Sequence, residues 1–94
     1  MKNILIIGNS DEVKRKLNDY LRETFQVYMC SVKQEDVKMI TKVVKPQLVL
    51  LCELGIREEE REVFSWICEN TSGCPVLGIV TEQEWRQCRK YYRS

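Results

Sequence analysis

The most reactive side chains in this sequence are its thiols. Five cysteines stand at positions 30, 52, 68, 74 and 88. The number is odd, and no pair has the C-x-x-C spacing of a zinc or redox site. There is no histidine, which removes the commonest general base and the commonest metal ligand. Cys52 has the most suggestive position. It closes the aliphatic run Leu48 to Leu51, and the carboxyl end of a central strand is where open α/β sheets hold their sites. Asn9 and Ser10 follow a similar run and are expected nearby. A thiol becomes reactive beside a cation, a histidine or a helix amino end. No histidine exists, and no lysine or arginine is evidently placed at that strand end. Cys30 and Cys52 therefore read as small hydrophobes in reduced form. A cysteine-based redox sensor or enzyme using Cys52 stands as the alternative reading. The turn Gly8-Asn9-Ser10 could offer amides to an anion, but the G-x-G-x-x-G and Walker patterns are absent, and a plain tight turn accounts for it.

The elements that position these residues are legible in the apolar pattern. Ninety-four residues make one small domain, 1–94. A chain 44% hydrophobic and 31% charged has the balance of a folded globular domain and not of a disordered one. Fifteen basic and fourteen acidic residues nearly cancel, so the charge balance points to no nucleic-acid or membrane surface. Apolar runs of about five residues are too short for a membrane span or a signal-peptide core, and a cytoplasmic protein is expected.

In chain order, Ile4 to Ile7 is a continuous aliphatic strand ending at Gly8. Asn9 or Ser10 caps a helix. Val13, Leu17, Leu21 and Phe25 form its apolar stripe with Tyr20 beside them, and its charges, Lys14 among them, fill the other face. Gln26 to Val32 reads as an edge-like strand, with Val27 and Met29 on one face and Tyr28, Cys30 and Val32 on the other. Lys33 to Lys45 reads as a second helix burying Val37, Ile40 and Val44, flanked by Met39 and Val43, and Pro46 ends it. The stretch Pro46 to Gly55, with its aliphatic run Leu48 to Leu51, is the third strand, expected to be central and buried on both faces. The acidic stretch 57–62 is expected to form the solvated first turns of a third helix, whose core face is Val63, Phe64 and Ile67 with Cys68 beside them. Pro75 to Val80 reads as a fourth buried strand. Thr81 begins a last helix with capping-box spacing to Glu84, carrying Trp85, Cys88 and Tyr92. Strand-helix alternation predicts a doubly wound three-layer α/β/α domain with a four-stranded parallel sheet in the order 2-1-3-4, flavodoxin-like.

On the segments ILIIGNS, KPQLVLLCELG and CPVLGIVTE, the chain resembles the receiver domain of bacterial response regulators, and the resemblance spans almost its whole length. It implies a fold in which an aspartate at the end of the third strand accepts a phosphoryl group. It also implies two carboxylates after the first strand that hold Mg²⁺, a hydroxyl at the end of the fourth strand, and a lysine ending a fifth strand. Here the phosphoacceptor position is Cys52, the acidic pair falls on Gly8 and Asn9, and the hydroxyl position falls on Val80 with Thr81 one residue late. The fifth strand and its lysine are missing from these residues. Oxygen-rich Mg²⁺ coordination and carboxylate attack both require groups absent here. Asn9 offers only a neutral oxygen, and alternation along the strand turns Glu53 away from Cys52.

The resemblance therefore implies a degenerate, non-enzymatic receiver-like module that needs no cofactor and no metal. It is expected to act by protein–protein interaction or dimerisation, independently of aspartyl phosphorylation. It is further expected to be the amino-terminal domain of a longer signal-transduction or transcription regulator, with no nucleic acid contacted by these residues themselves. If the fourth strand ends the sheet, Val76 to Val80 is an apolar edge without charges; natural edges are normally protected, so a second copy, a fifth strand of a longer protein or the last helix should cover it. Homodimerisation through this strand and the last helix is expected, with Val76, Trp85, Tyr91 and Tyr92 as interface residues. For Trp85 and Tyr92, ordinary core packing is the competing reading.

Overall fold

A computed structural model describes residues 2–52, 58–71 and 73–79, together with Glu82, Gln83, Arg86 and Arg89. Strand β1 (Asn3–Ile7) leads through Gly8 into helix α1 (Asp11–Leu21), then strand β2 (Gln26–Cys30) and helix α2 (Gln34–Val44). Strand β3 (Leu48–Cys52), helix α3 (Glu58–Asn70) and strand β4 (Val76–Ile79) follow. All strand pairs are parallel, in the order β2-β1-β3-β4. The architecture is the doubly wound one that the alternating pattern predicts.

The two inner strands carry unbroken aliphatic runs because both their faces are covered. Ile4 to Ile7 are at most 1% exposed and Val49 to Cys52 at most 7%. Each such side chain contributes roughly 1.5–3 kcal/mol on burial. Alternation divides them into two layers. Leu5, Ile7, Val49 and Leu51 pack with Val37, Val63 and Ile67 of α2 and α3. Ile4, Ile6, Leu50 and Cys52 pack with Val13, Leu17, Leu21 and Phe25 on the α1 side.

Helix ends follow local chemistry. Ser10 is the cap of α1, its Oγ accepting from the Val13 amide at 3.3 Å. Lys33 caps α2 without a side-chain hydrogen bond, so the helix starts one residue later than its composition suggests. Lys45 ends α2 in a left-handed conformation with φ 51°, and Pro46 prevents any continuation.

Five expectations about exposure are corrected. Lys14 is buried, while Tyr20 is 88% exposed. At 100° per residue the two lie on opposite flanks of the Val13-Leu17-Leu21 stripe, and β2 covers only the Lys14 flank. Met39 and Val43 are exposed at 67% and 78%, because the buried face of α2 turns toward Val37, Thr41 and Val44. Glu60 is only 7% exposed, although the stretch around it was expected to be solvated. It stands three residues before Val63 and seven before Ile67, which places it on the core face of α3. Cys68, expected beside that face, is exposed, because it lies about 100° round the helix from Ile67.

Strand β4 departs furthest from expectation. Val76 is half-buried, Leu77 is 55% exposed and Ile79 is 38% exposed. It pairs with β3 only, among the described residues. The predicted last helix falls largely outside the described residues, as do Val80, Thr81, Trp85, Cys88, Tyr91 and Tyr92, and Glu53 and Gly55 of the loop after β3. Within it Glu82 and Gln83 are helical, and Glu82 pairs with Arg86 at 2.6 Å across one turn.

Candidate functional site

The carboxyl end of the sheet brings together Gly8, Asn9, Ser10, Cys52 and Glu60. Gly8 and Cys52 meet because β1 and β3 are neighbours, with Ile7 opposite Leu51 as their last paired residues. Gly8 is buried, and its amide donates to the Cys30 carbonyl at 3.2 Å. A Cβ at this position would stand 3.0 Å from Cys52 Cβ. Side-chain rotation cannot move either atom. Glycine suits position 8 by close approach, and any side chain mounted there requires Cys52 to give by a few tenths of an ångström.

Cys52 is 1% exposed and lies in the apolar layer with Ile4, Ile6 and Leu50. Its backbone is paired with Ile79 of β4. Burial separates its sulfur from solvent-borne reagents, as expected for a thiol that packs as a hydrophobe.

Asn9 is exposed and spans the gap to α3, its Nδ2 donating to Glu60 Oε2 at 3.2 Å. Asn9 thus supplies a donor to a carboxylate, the reverse of a metal-ligand role. Ser10 is used by the helix cap. On the other side of β1, Lys14 Nζ donates to the Cys30 carbonyl at 3.4 Å and lies 3.4 Å from Asp11 Oδ1. The long side chain reaches over the sheet while its ammonium keeps two oxygen partners. Burial pushes the Cys30 thiol up to about 11, with Lys14 pulling it down and Asp36 adding to the rise.

Sequence reasoning expects Asn9 and Ser10 near Cys52; the structure sets Gly8 against Cys52, turns Asn9 to Glu60 and uses Ser10 in the helix cap. Val80 and Thr81 lie outside the described residues. Two charged residues were missed. Glu60 could have been found from its helical spacing to Val63 and Ile67. Lys14 carried a weaker signal, its place beside Val13 and four residues before Asn18 at the edge of the apolar stripe.

The residues present do not fit Mg²⁺. Glycine and asparagine stand where two carboxylates would be needed, the carboxylate of Glu60 is engaged by an amide, and a hard cation requires several oxygen ligands. Among the described residues no group of three or more histidine, cysteine, aspartate or glutamate side chains is placed to hold a metal ion.

Comparison with known proteins agrees with this architecture. No protein-family model matches the chain, and no curated protein matches it. A solution structure of a response regulator protein from Burkholderia multivorans superposes with a TM-score of 0.62 at 16% identity, covering 100% of this chain and 79% of the other. The chain has a receiver-like fold. In this receiver-like domain the strand order and layers are retained, while the carboxyl end of the sheet is closed by Gly8 against Cys52 and bridged by Asn9 to Glu60. No described helix is long and apolar enough to cross a membrane.

Proposed function

We propose that this chain is a phosphorylation-independent regulatory module that acts through protein–protein contact, assembling as a homodimer over strand β4. In this reading it is the cytoplasmic amino-terminal domain of a signal-transduction or transcription regulator, and it is not an enzyme. The observation that carries the proposal is the apolar exposure of Leu77 and Ile79, 55% and 38%, on a strand that pairs only with β3 among the described residues.

Their partners in the register are Leu50 and Cys52, which belong to the layer on the α1 side. Leu77 and Ile79 therefore project to that side as well. A helix is about 10 Å across and strands are spaced about 4.8 Å apart. One helix covers two strands, and α1, the single described helix on this face, leans toward β2. Tyr20, 88% exposed, lies on the flank of α1 turned away from β2. A second copy brought over β3 and β4 would cover Leu77 and Ile79 and meet Tyr20. Exposed apolar patches of this kind mark interaction surfaces, and a free apolar edge invites strand addition.

The test is solution molar mass by light scattering over a concentration series in reductant, for the native chain and for Leu77→Lys. A reductant-stable dimer that Leu77→Lys dissociates supports the reading, and Trp85→Ala is expected to weaken the same dimer. A monomer at every concentration, or a dimer indifferent to Leu77→Lys, overturns assembly over β4.

A further inference from the structure

A second concave site lies at the opposite end of the sheet, and nothing in the proposed function uses it. A hollow of about 510 Å³ opens between the carboxyl ends of α2 and α3, in the size range of small-molecule sites. Its apolar walls include Trp66 and Pro46, and Lys42 and Lys45 stand at its rim. We propose that this hollow binds a small planar aromatic anion, with the ring against Trp66 and Pro46 and its phosphate or carboxylate on the two lysines.

Three observations converge on that class. Lys38 and Lys42 are one turn apart on α2, and Lys45 follows at its left-handed carboxyl end. Lys38 is committed, its Nζ lying 5.7 Å from the Trp66 ring centroid, a cation–π contact that holds the indole. Lys42 and Lys45 are both exposed and have no ion pair or hydrogen-bonded side-chain partner among the described residues.

The hydrogen-bonding groups around the lysines are already engaged with the helix ends. Asn70 Nδ2 donates to the Trp66 carbonyl at 2.8 Å, and Thr71 Oγ1 donates to the Ile67 carbonyl at 2.5 Å. The Ile67 carbonyl also accepts from the Thr71 amide at 2.9 Å, so both side chains are spent on the last turn of α3, and the lysines must outweigh the negative helix ends beside them. Among the described side chains of the hollow, the two ammonium groups and the Trp66 indole N–H are left as donors.

Lys45 also has an unusual backbone. It is the single non-glycine residue with positive φ among those described, at 51°. Glycine is the residue that takes this helix-ending conformation without steric cost. A lysine in this conformation places a cation at the rim of the hollow where a glycine would have offered none. Glu69 lines a separate hollow on the other side of Trp66 and does not line this one.

The experiment is an amide-resolved NMR titration of the whole chain with adenosine monophosphate and, separately, benzoate. Adenosine and inorganic phosphate are titrated as the two half-ligands. Saturable shifts are expected in Thr41 to Lys45, in Asn70 to Cys74 and at the Trp66 indole N–H, with one or both aromatic anions at ~10 mM or below. Which of the two binds separates a phosphate ligand from a carboxylate one. Adenosine and inorganic phosphate are each expected to bind at least tenfold more weakly. The double variant Lys42→Gln/Lys45→Gln, at two exposed positions, is expected to weaken the response at least tenfold with an otherwise unchanged spectrum. The proposal is overturned by no saturable shift with either anion. Equal binding of either half-ligand, or a response that survives in the double variant, overturns it as well. Solution molar mass does not enter this readout, so the assembly over β4 and this site stand or fall separately.

Discussion

Gly8 and Cys52 are fitted to one another across β1 and β3: a Cβ added at Gly8 would come within 3.0 Å of Cys52 Cβ. Both atoms of that contact are anchored to buried backbone, so relief requires the two central strands to move apart. Gly8→Ala is expected to destabilise the domain by ~1–3 kcal/mol through overpacking. A lower urea midpoint with an unchanged slope is the signature, and shortening the facing residue with Cys52→Gly should recover part of the loss in a double-mutant cycle. An unchanged midpoint for Gly8→Ala would mean that the strands part without cost.

Position 8 is a glycine packed against Cys52, and neither residue supplies the carboxylate oxygens that a phosphoryl group on a receiver requires. Incubation with a small phosphodonor and Mg²⁺ is therefore expected to leave the intact mass unchanged. A stoichiometric gain of one phosphoryl group would overturn the phosphorylation-independent reading.

Thiol accessibility differs sharply among the described cysteines. Cys68 is exposed on α3, Cys74 and Cys30 are intermediate, and Cys52 is 1% exposed. Labelling of the native protein with a maleimide near neutral pH should modify Cys68 early, slowed by a thiol pKa that burial and Glu69 raise. Cys52 should stay protected until the protein unfolds, by a factor set by the global stability. Selective modification of Cys52 in the folded state would instead favour the redox reading.

Cys30 gives a pH dependence whose sign follows from its surroundings. Its thiol is pushed from an ordinary 9.0 up to about 11, chiefly by burial. The folded state therefore holds this proton more tightly than the unfolded chain. Above pH ~9 the unfolded state binds fewer protons, so stability falls as pH rises toward about 11 and is unaffected below ~9. The partial exposure of Cys30 reduces the loss to about 1–2 kcal/mol. Urea midpoints measured at about pH 8 and about pH 11 should fall further for the native chain than for Cys30→Ala by that amount. Equal losses in the two proteins would remove Cys30 as the cause.

The spacing of apolar residues determined the strand and helix sequence by itself. Ile4 to Ile7 and Leu48 to Leu51 are unbroken aliphatic runs, and such runs fit only strands covered on both faces. Their ends set the turn after β1 beside Cys52, where the structure packs Gly8. What tertiary structure decided was which flank of each helix the sheet covers and which face of the sheet a helix reaches. The stripe Val13-Leu17-Leu21 is equally compatible with burying Lys14 or Tyr20, and only the lean of α1 toward β2 selects Lys14. An acidic run in the first turn of α3 is locally the same whether solvated or not, and only docking against β1 places Glu60 within reach of Asn9. Strand β4 has the composition of a buried strand, yet its exposure depends on how many helices lie over a four-stranded sheet. That count, and the hollow where α2 and α3 end together beside Trp66, arise from contacts between residues far apart in the chain, which periodicity along the chain does not encode.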